Sequence, residues 1–362
     1  MAARVLVFAL GSLLVLAAML SAVKTFVLPR SAQDGLTRSV FVLVRLVFDA
    51  LILPARTYEN RDRIMAFYAP VSLLSLLVAW ILLVLVGYTG MFWATGTGTW
   101  YQAFRESGSS LLTMGFEAPP NWIHVLLAFS AASIGLILVA LLIAYLPSIY
   151  GAFARRETAV KLLEVRAGDP PSAVEMLLRF QRIHGLERLG EQWQAWEAWF
   201  ADIDESHTSL SPLVFFRSPL PQHCWVTAAG AVLDAASLTR SSLEVPRDPR
   251  ADLCIRGGFL ALRHISDFFD LPYNPNPLWP DEPISITRGE FEAALDRLAA
   301  EGAPVKADRD AAWRDFAGWR VNYDRLLLGL CTLTMAPEAP WSSDRAPKYQ
   351  SRRLLYRRER RR

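Results

Sequence analysis

Residues Phe67 to Tyr88 read FYAPVSLLSLLVAWILLVLVGY, without one charged side chain. A helix needs about 20 such residues to cross the hydrocarbon core of a bilayer. Inside that core the backbone must satisfy its own hydrogen bonds, so the stretch is constrained to be a membrane-spanning helix. Two further runs have the same character. Val5 to Val23 is uncharged and flanked by Arg4 and Lys24, and Ile123 to Phe153 stops shortly before Arg155-Arg156-Glu157. A hydrophobic content of 52% and a mean hydropathy of +0.22 agree with this. The long apolar runs are confined to residues 1–154, and 155–362 has the composition of an ordinary polar domain, so two parts are expected.

The first run competes with a cleaved signal peptide. Its basic residues increase after the apolar segment, and no clean small-x-small site follows, so it reads as a retained span. Lys and Arg in short loops mark the cytoplasmic side. The 24–66 segment holds Lys24, Arg30, Arg38, Arg45, Arg56, Arg61 and Arg63, whereas 89–122 has Arg105 alone. This orients the N-terminus and 89–122 outside, with 24–66 and everything after 154 inside. SVFVLVRLVFDALIL (39–53) is short for a span and carries Arg45 and Asp49 four residues apart, where they can pair on one helix face. It reads as a helix at the inner surface, with a fourth span as the alternative.

The outer loop is unusual. After a Gly/Thr-rich turn region, WYQAFRESGSSLLTMGF (100–116) reads as a short helix, with TMGFE at its end. Pro119 and Pro120 follow, and Asn121 is placed to cap the third span. A cation crossing a bilayer exchanges water for oxygens; backbone carbonyls and a Thr hydroxyl supply them, and Gly permits the backbone angles that turn carbonyls inward. A plain extracellular hairpin packed by aromatics is the competing reading. Arg105 and Glu106 either brace such a loop or are solvated.

With span, short helix, Thr113-Met114-Gly115-Phe116 and span in this order, residues 64–160 resemble the pore-loop cation channels, specifically the two-span potassium channels of bacteria. The family's filter reads Thr-Val-Gly-Tyr-Gly-Asp; Thr113 and Gly115 are retained, Phe116 replaces Tyr, and Glu117 and Ala118 stand where the family has Gly and Asp. The resemblance implies a homotetramer in the bacterial inner membrane. The path oxygens would come from Thr113, Met114, Gly115 and Phe116, with a ring of Glu117 at the mouth and Gly135 as a hinge in the inner helix. The permeant species would be a monovalent cation, potassium in type, with selectivity altered by Glu117.

The remainder reads as helical. Ser172-x-x-Glu175 and Thr287-x-x-Glu290 are capping boxes ahead of apolar stripes. Further helices are expected at 187–204, 223–240, 250–269 and 308–334. No strand followed by GxGxxG appears, which excludes a dinucleotide-type regulatory domain. The five histidines form no HExxH, and Cys224, Cys254 and Cys331 form no CxxC, so no catalytic set, resident metal or cofactor is expected. DIDESH (202–207) reads as a solvated helix end, and Trp193, Trp196 and Trp199 as one packed helix face. The final fifteen residues hold eight Lys/Arg and one Glu. They are either a solvated end or a contact for anionic lipid, and nucleic acid is not an expected partner. The expectation is an all-α membrane protein: an N-terminal helix (1–30), an interfacial helix (31–63), a pore module (64–157), an α-helical cytoplasmic domain (158–340) and a basic tail (341–362). A non-conducting membrane-anchored scaffold or signalling protein is the alternative.

Overall fold

The structure is a computed structural model that describes residues 1–28, 34–96 and 98–347. It is all-helical. Among the described residues there is no strand, only an isolated bridge between Leu243 and Val305. Two compact units form: Met1–Leu53 with Phe67–Gly151, and Pro54–Ala66 with the chain from Ala152 onward.

Six helices lead from the N-terminus: α1 (Ala2–Phe26), α2 (Gly35–Ile52), α3 (Tyr58–Met65), α4 (Tyr68–Thr95), α5 (Trp100–Leu111) and α6 (Trp122–Ala167). Three segments are long and apolar enough to cross a membrane: α1, Tyr58–Thr95 and α6. This marks a membrane protein. α2 is not among them. Its Asp34 caps the first turn by accepting from Thr37 N, and the Arg45–Asp49 pair forms at 3.1 Å, buried on both sides. The Arg45 guanidinium also lies over the Tyr68 ring.

α1 and α4 approach closely because their crossing is made of glycine. A Cβ added to Gly11 would meet the Gly87 carbonyl oxygen at 2.5 Å, and one added to Gly87 would meet that of Gly11 at 2.8 Å. Small residues at such a crossing bring helix backbones into contact where lipid provides no hydrophobic drive. The Trp80 indole donates to Ser21 Oγ at 2.9 Å and ties the same two helices. α6 runs for 46 residues through Pro147 without ending. At 1.5 Å per residue that is about 70 Å, more than twice the thickness of the hydrocarbon core.

The structure divides the expected interfacial segment. Residues Pro54–Ala66 belong to the second unit, where Arg217 pairs with Asp62 at 2.5 Å and the Tyr58 hydroxyl donates to the Met335 carbonyl. α6 contributes to both units, so the expected boundary at 157 falls inside a helix.

The second unit continues with α7 (Ala173–Arg182), α8 (Leu189–Ser209), α9 (Trp225–Ser242), α10 (Pro249–Phe268), α11 (Arg288–Ala300), α12 (Arg309–Arg320) and α13 (Asp324–Thr334). The single helix expected over 308–334 is two, broken at 321–323. Thr287 and Glu290 form the full reciprocal capping box, and Ser172 accepts from Glu175 N. α9 is buried on nearly every face. Its alanines let neighbours close in, but it also carries Asp234 into the core. Arg320 meets that carboxylate at 2.5 and 2.6 Å, and Tyr323 OH donates to it at 2.9 Å. Trp193, Trp196 and Trp199 are buried as one packed face. Cys254 and Cys331 are buried free thiols, and Cys224 is partly covered. The basic residues from 348 on lie outside the described residues.

The acidic stretch at 202–207 is not a solvated end throughout. His207 is fully buried, and Arg156, itself fully buried, points Nη1 at its Nε2 from 3.2 Å. A guanidinium only donates, so Nε2 must accept and the ring is neutral. Burial, and then the charge of Arg156, hold this imidazole well below its ordinary 6.5. The unfolded chain takes up a proton below 6.5 that the folded chain refuses. This contribution to stability is therefore complete above that value and is lost as pH falls beneath it. In His207→Gln, whose amide oxygen still accepts from Arg156, the acid-side decline should flatten by up to about 1.4 kcal/mol per pH unit in chemical unfolding curves. Arg320→Ala strands Asp234 in the core and should lower the unfolding free energy by about 3–5 kcal/mol in the same assay.

Candidate pore loop

α5 begins with a reciprocal capping box, in which Thr99 accepts from Gln102 N and the Gln102 side chain accepts from Thr99 N. It then runs back along α4. Ser107 Oγ donates to the Leu85 carbonyl at 3.0 Å. Leu85 lies ten residues before the end of α4, so α5 descends roughly 15 Å from that end. From the other side its last carbonyl, Leu111 O, reaches α6. A Cβ added to Gly135 would lie 2.2 Å from it. Gly135 is thirteen residues into α6, again roughly 20 Å from the helix start. The end of α5 thus lies far from the ends of both long helices.

A buried polar chain holds α5 at its middle. Glu106 accepts from His124 Nδ1 at 2.8 and 3.0 Å, and His124 Nε2 meets Thr95 Oγ1 at 3.1 Å. Glu106 is 4% exposed and His124 1%. Ionisable groups are tolerated between apolar helices when they are paired in this way. The chain joins α5, α6 and α4. Asn121, as expected, caps α6 by accepting from His124 N at 3.1 Å.

The helix expected over 100–116 ends at Leu111. Thr113 takes a positive φ of 55°, Thr113 N donates to Ser110 O, and Met114 N donates to Ser109 O at 2.8 Å. This is a Schellman C-cap, with Thr at a position that usually favours glycine. Gly115 is also left-handed, at φ 70°. Its amide donates to Ser109 O, and Glu117 N donates to Ser109 Oγ at 3.1 Å. Ser109 therefore holds the loop from behind. Met114 and Phe116 are more than half exposed. Arg105 pairs with Glu117 at 2.6 Å and lies over the rings of Tyr101 and Phe116. Both charges brace the loop region: Glu106 from within and Arg105 across the loop.

Thr113, Met114, Gly115, Phe116 and Glu117 thus form one exposed turn at the end of α5. Gly135 lies behind it and opposite Leu111, within an unbroken helix. Glu106 was expected either to brace this loop or to be solvated, and it is buried; Ser109, His124 and Thr95 were not singled out from the sequence as parts of this region. The run ESGSS holds Glu106 and Ser109 three residues apart, but only the fold turns one toward the loop and the other toward His124. No family model matches the chain, and no curated protein or solved structure matches it either.

Gly135→Ala places a methyl against a fixed carbonyl and should destabilise the detergent-solubilised protein by about 1–3 kcal/mol. Gly108→Ala is the control, since its Cβ would meet only Leu85 Cδ1 at 3.8 Å. Thermal unfolding should show a loss for the first and little change for the second.

Proposed function

We propose that the chain assembles as a homotetrameric pore-loop cation channel of the potassium type in the bacterial inner membrane. In this reading the carbonyls of Thr113 to Phe116 line the path and monovalent cations are the cargo. The N-terminus lies outside and the second unit is cytoplasmic. The observation that carries the reading is the position of the Thr113–Glu117 turn. It sits at the end of a short helix that returns between two long apolar helices to a level well inside both. Irregular backbone at that depth requires cover from protein or lined water. A single copy leaves Met114 and Phe116 largely exposed, and three further copies would supply the cover.

Four Glu117 carboxylates would ring the outer mouth, where acidic rings concentrate cations. Each is balanced by Arg105 of its own chain, so the ring carries little net field. Glu117 serves here first as an anchor for the loop and second as a charge.

The rival is a non-conducting membrane-anchored scaffold. It draws on the Schellman cap, since a tight cap is also how an ordinary hairpin would end α5. Purified protein in liposomes under a potassium gradient separates the two. The channel reading expects a tetramer by cross-linking and a cation flux that Gly115→Ala abolishes. Arg105→Gln, which unmasks the four carboxylates, should raise flux at low salt and lose that gain as added salt screens the ring. A monomer or dimer that passes no ion at any voltage or pH sinks the pore reading.

A further inference from the structure

We propose that Glu164, Asp169 and His223 of the second unit form a binding site for a divalent transition-metal ion of the zinc class. One ligand atom from each lies within 4.8 Å of the others. The inference stands apart from the channel reading and holds whether or not the protein conducts.

The fold brings these side chains together from two places. Glu164 is on the last turn of α6. The helix ends at Ala167, Gly168 turns the chain with φ 83°, and Asp169 follows at once. His223 comes from the loop ahead of α9. The backbone around Glu164 is already held, because Arg179 Nη1 donates to the carbonyls of Glu164 and Val165 at 3.0 and 2.7 Å. From that backbone the Glu164 carboxylate reaches His223 on one side and Lys161 on the other.

His223 supplies the observation that points to a ligand. Its side chain is 7% exposed, and its Nε2 has no hydrogen-bond partner among the described residues. Glu164 Oε2 lies 3.4 Å from that nitrogen. That separation is long for a hydrogen bond. It is instead the edge of a tetrahedron whose metal–ligand bonds are about 2.1 Å. Asp169, exposed on the turn, needs only a small movement to complete a third corner, with water as the fourth. One imidazole with two carboxylates suits a borderline first-row ion; calcium and magnesium prefer oxygen alone.

A cation already leans on this site. Lys161 Nζ contacts Glu164 Oε2 at 2.5 Å, and its side chain is 60% exposed. A metal would take its place, and the lysine is free to swing into solvent. Lys161 is thus a competitor rather than a ligand, and its removal should tighten metal binding.

The test uses full-length detergent-solubilised protein, carrying no histidine tag and stripped by chelator. It is titrated with Co²⁺, whose visible absorption reports tetrahedral coordination, and then with Zn²⁺. One Co²⁺ per chain should bind with tetrahedral bands, and equimolar Zn²⁺ but not millimolar Mg²⁺ should displace it. His223→Gln, Glu164→Gln and Asp169→Asn should each weaken binding by at least about tenfold, the scale on which even outer-shell partners act. Lys161→Gln should strengthen it. Metal-free melting curves that match the parent show that a loss is not unfolding. If His223→Gln melts early, Asp169→Asn at its exposed position carries the test. No stoichiometric binding, binding that survives the His223 or Asp169 substitution in folded protein, or ready displacement by Mg²⁺ overturns the site.

Discussion

The pairing of Glu106 with His124 is the contact on which the arrangement of the first unit depends. A carboxylate on a short helix between apolar helices is costly unless it is bonded, and removing one partner of a buried pair costs more than the pair contributes. Because His124 also meets Thr95, the bond joins three helices at one point and holds α5 at its middle. The end of α5 is fixed by shape. Gly135 has no side chain at the place where Leu111 O arrives. A polar pin in the middle of α5 and a steric slot at its end set the depth of the turn at Thr113–Glu117. Ser109 then sets its form, because its carbonyl and hydroxyl together take three amides of that turn.

The second unit uses buried charge in a similar way in a different medium. Arg320 is enclosed by Asp234 and Asp324, and Arg156 by the carbonyls of Leu213 and Phe216 together with His207. Neither arginine reaches water. Such groups add little net stability compared with well-packed apolar residues, but they penalise any packing in which their partners are absent. An otherwise Ala- and Leu-rich helical core, with many near-equivalent ways to pack, gains a single register from them.

The chain's legibility varied with the physics involved. The three long apolar helices could be read directly, since hydrocarbon solubility depends on composition summed over a window. Helix starts at Thr287, Ser172 and Asn121 were equally plain, because a cap is a local bond between residues three apart. The end of α5 was not. Nothing in GSSLLTMGF marks Leu111 as the last helical residue, because Thr113 adopts a left-handed backbone that Thr seldom takes. The reading of DIDESH as solvated failed at His207 for a related reason: the partner that draws it inside, Arg156, is on a distant helix. Likewise a continuous helical pattern over 308–334 conceals the break at 321–323, where the turn brings Tyr323 onto Asp234.

By itself the sequence determined that this is an all-helical chain with an apolar first part and a polar second part, and that a short helix and a Gly-bearing turn lie between two spans. Those properties follow from period, composition and neighbouring residues. Tertiary structure alone decided that Glu106 faces His124, that Gly135 is a slot for a carbonyl, that Arg105 cancels Glu117, and that His223 meets Glu164 across the second unit. Each depends on which helix face meets which. A side chain's chemistry is written at its own position, and its partner is chosen only when the chain has folded.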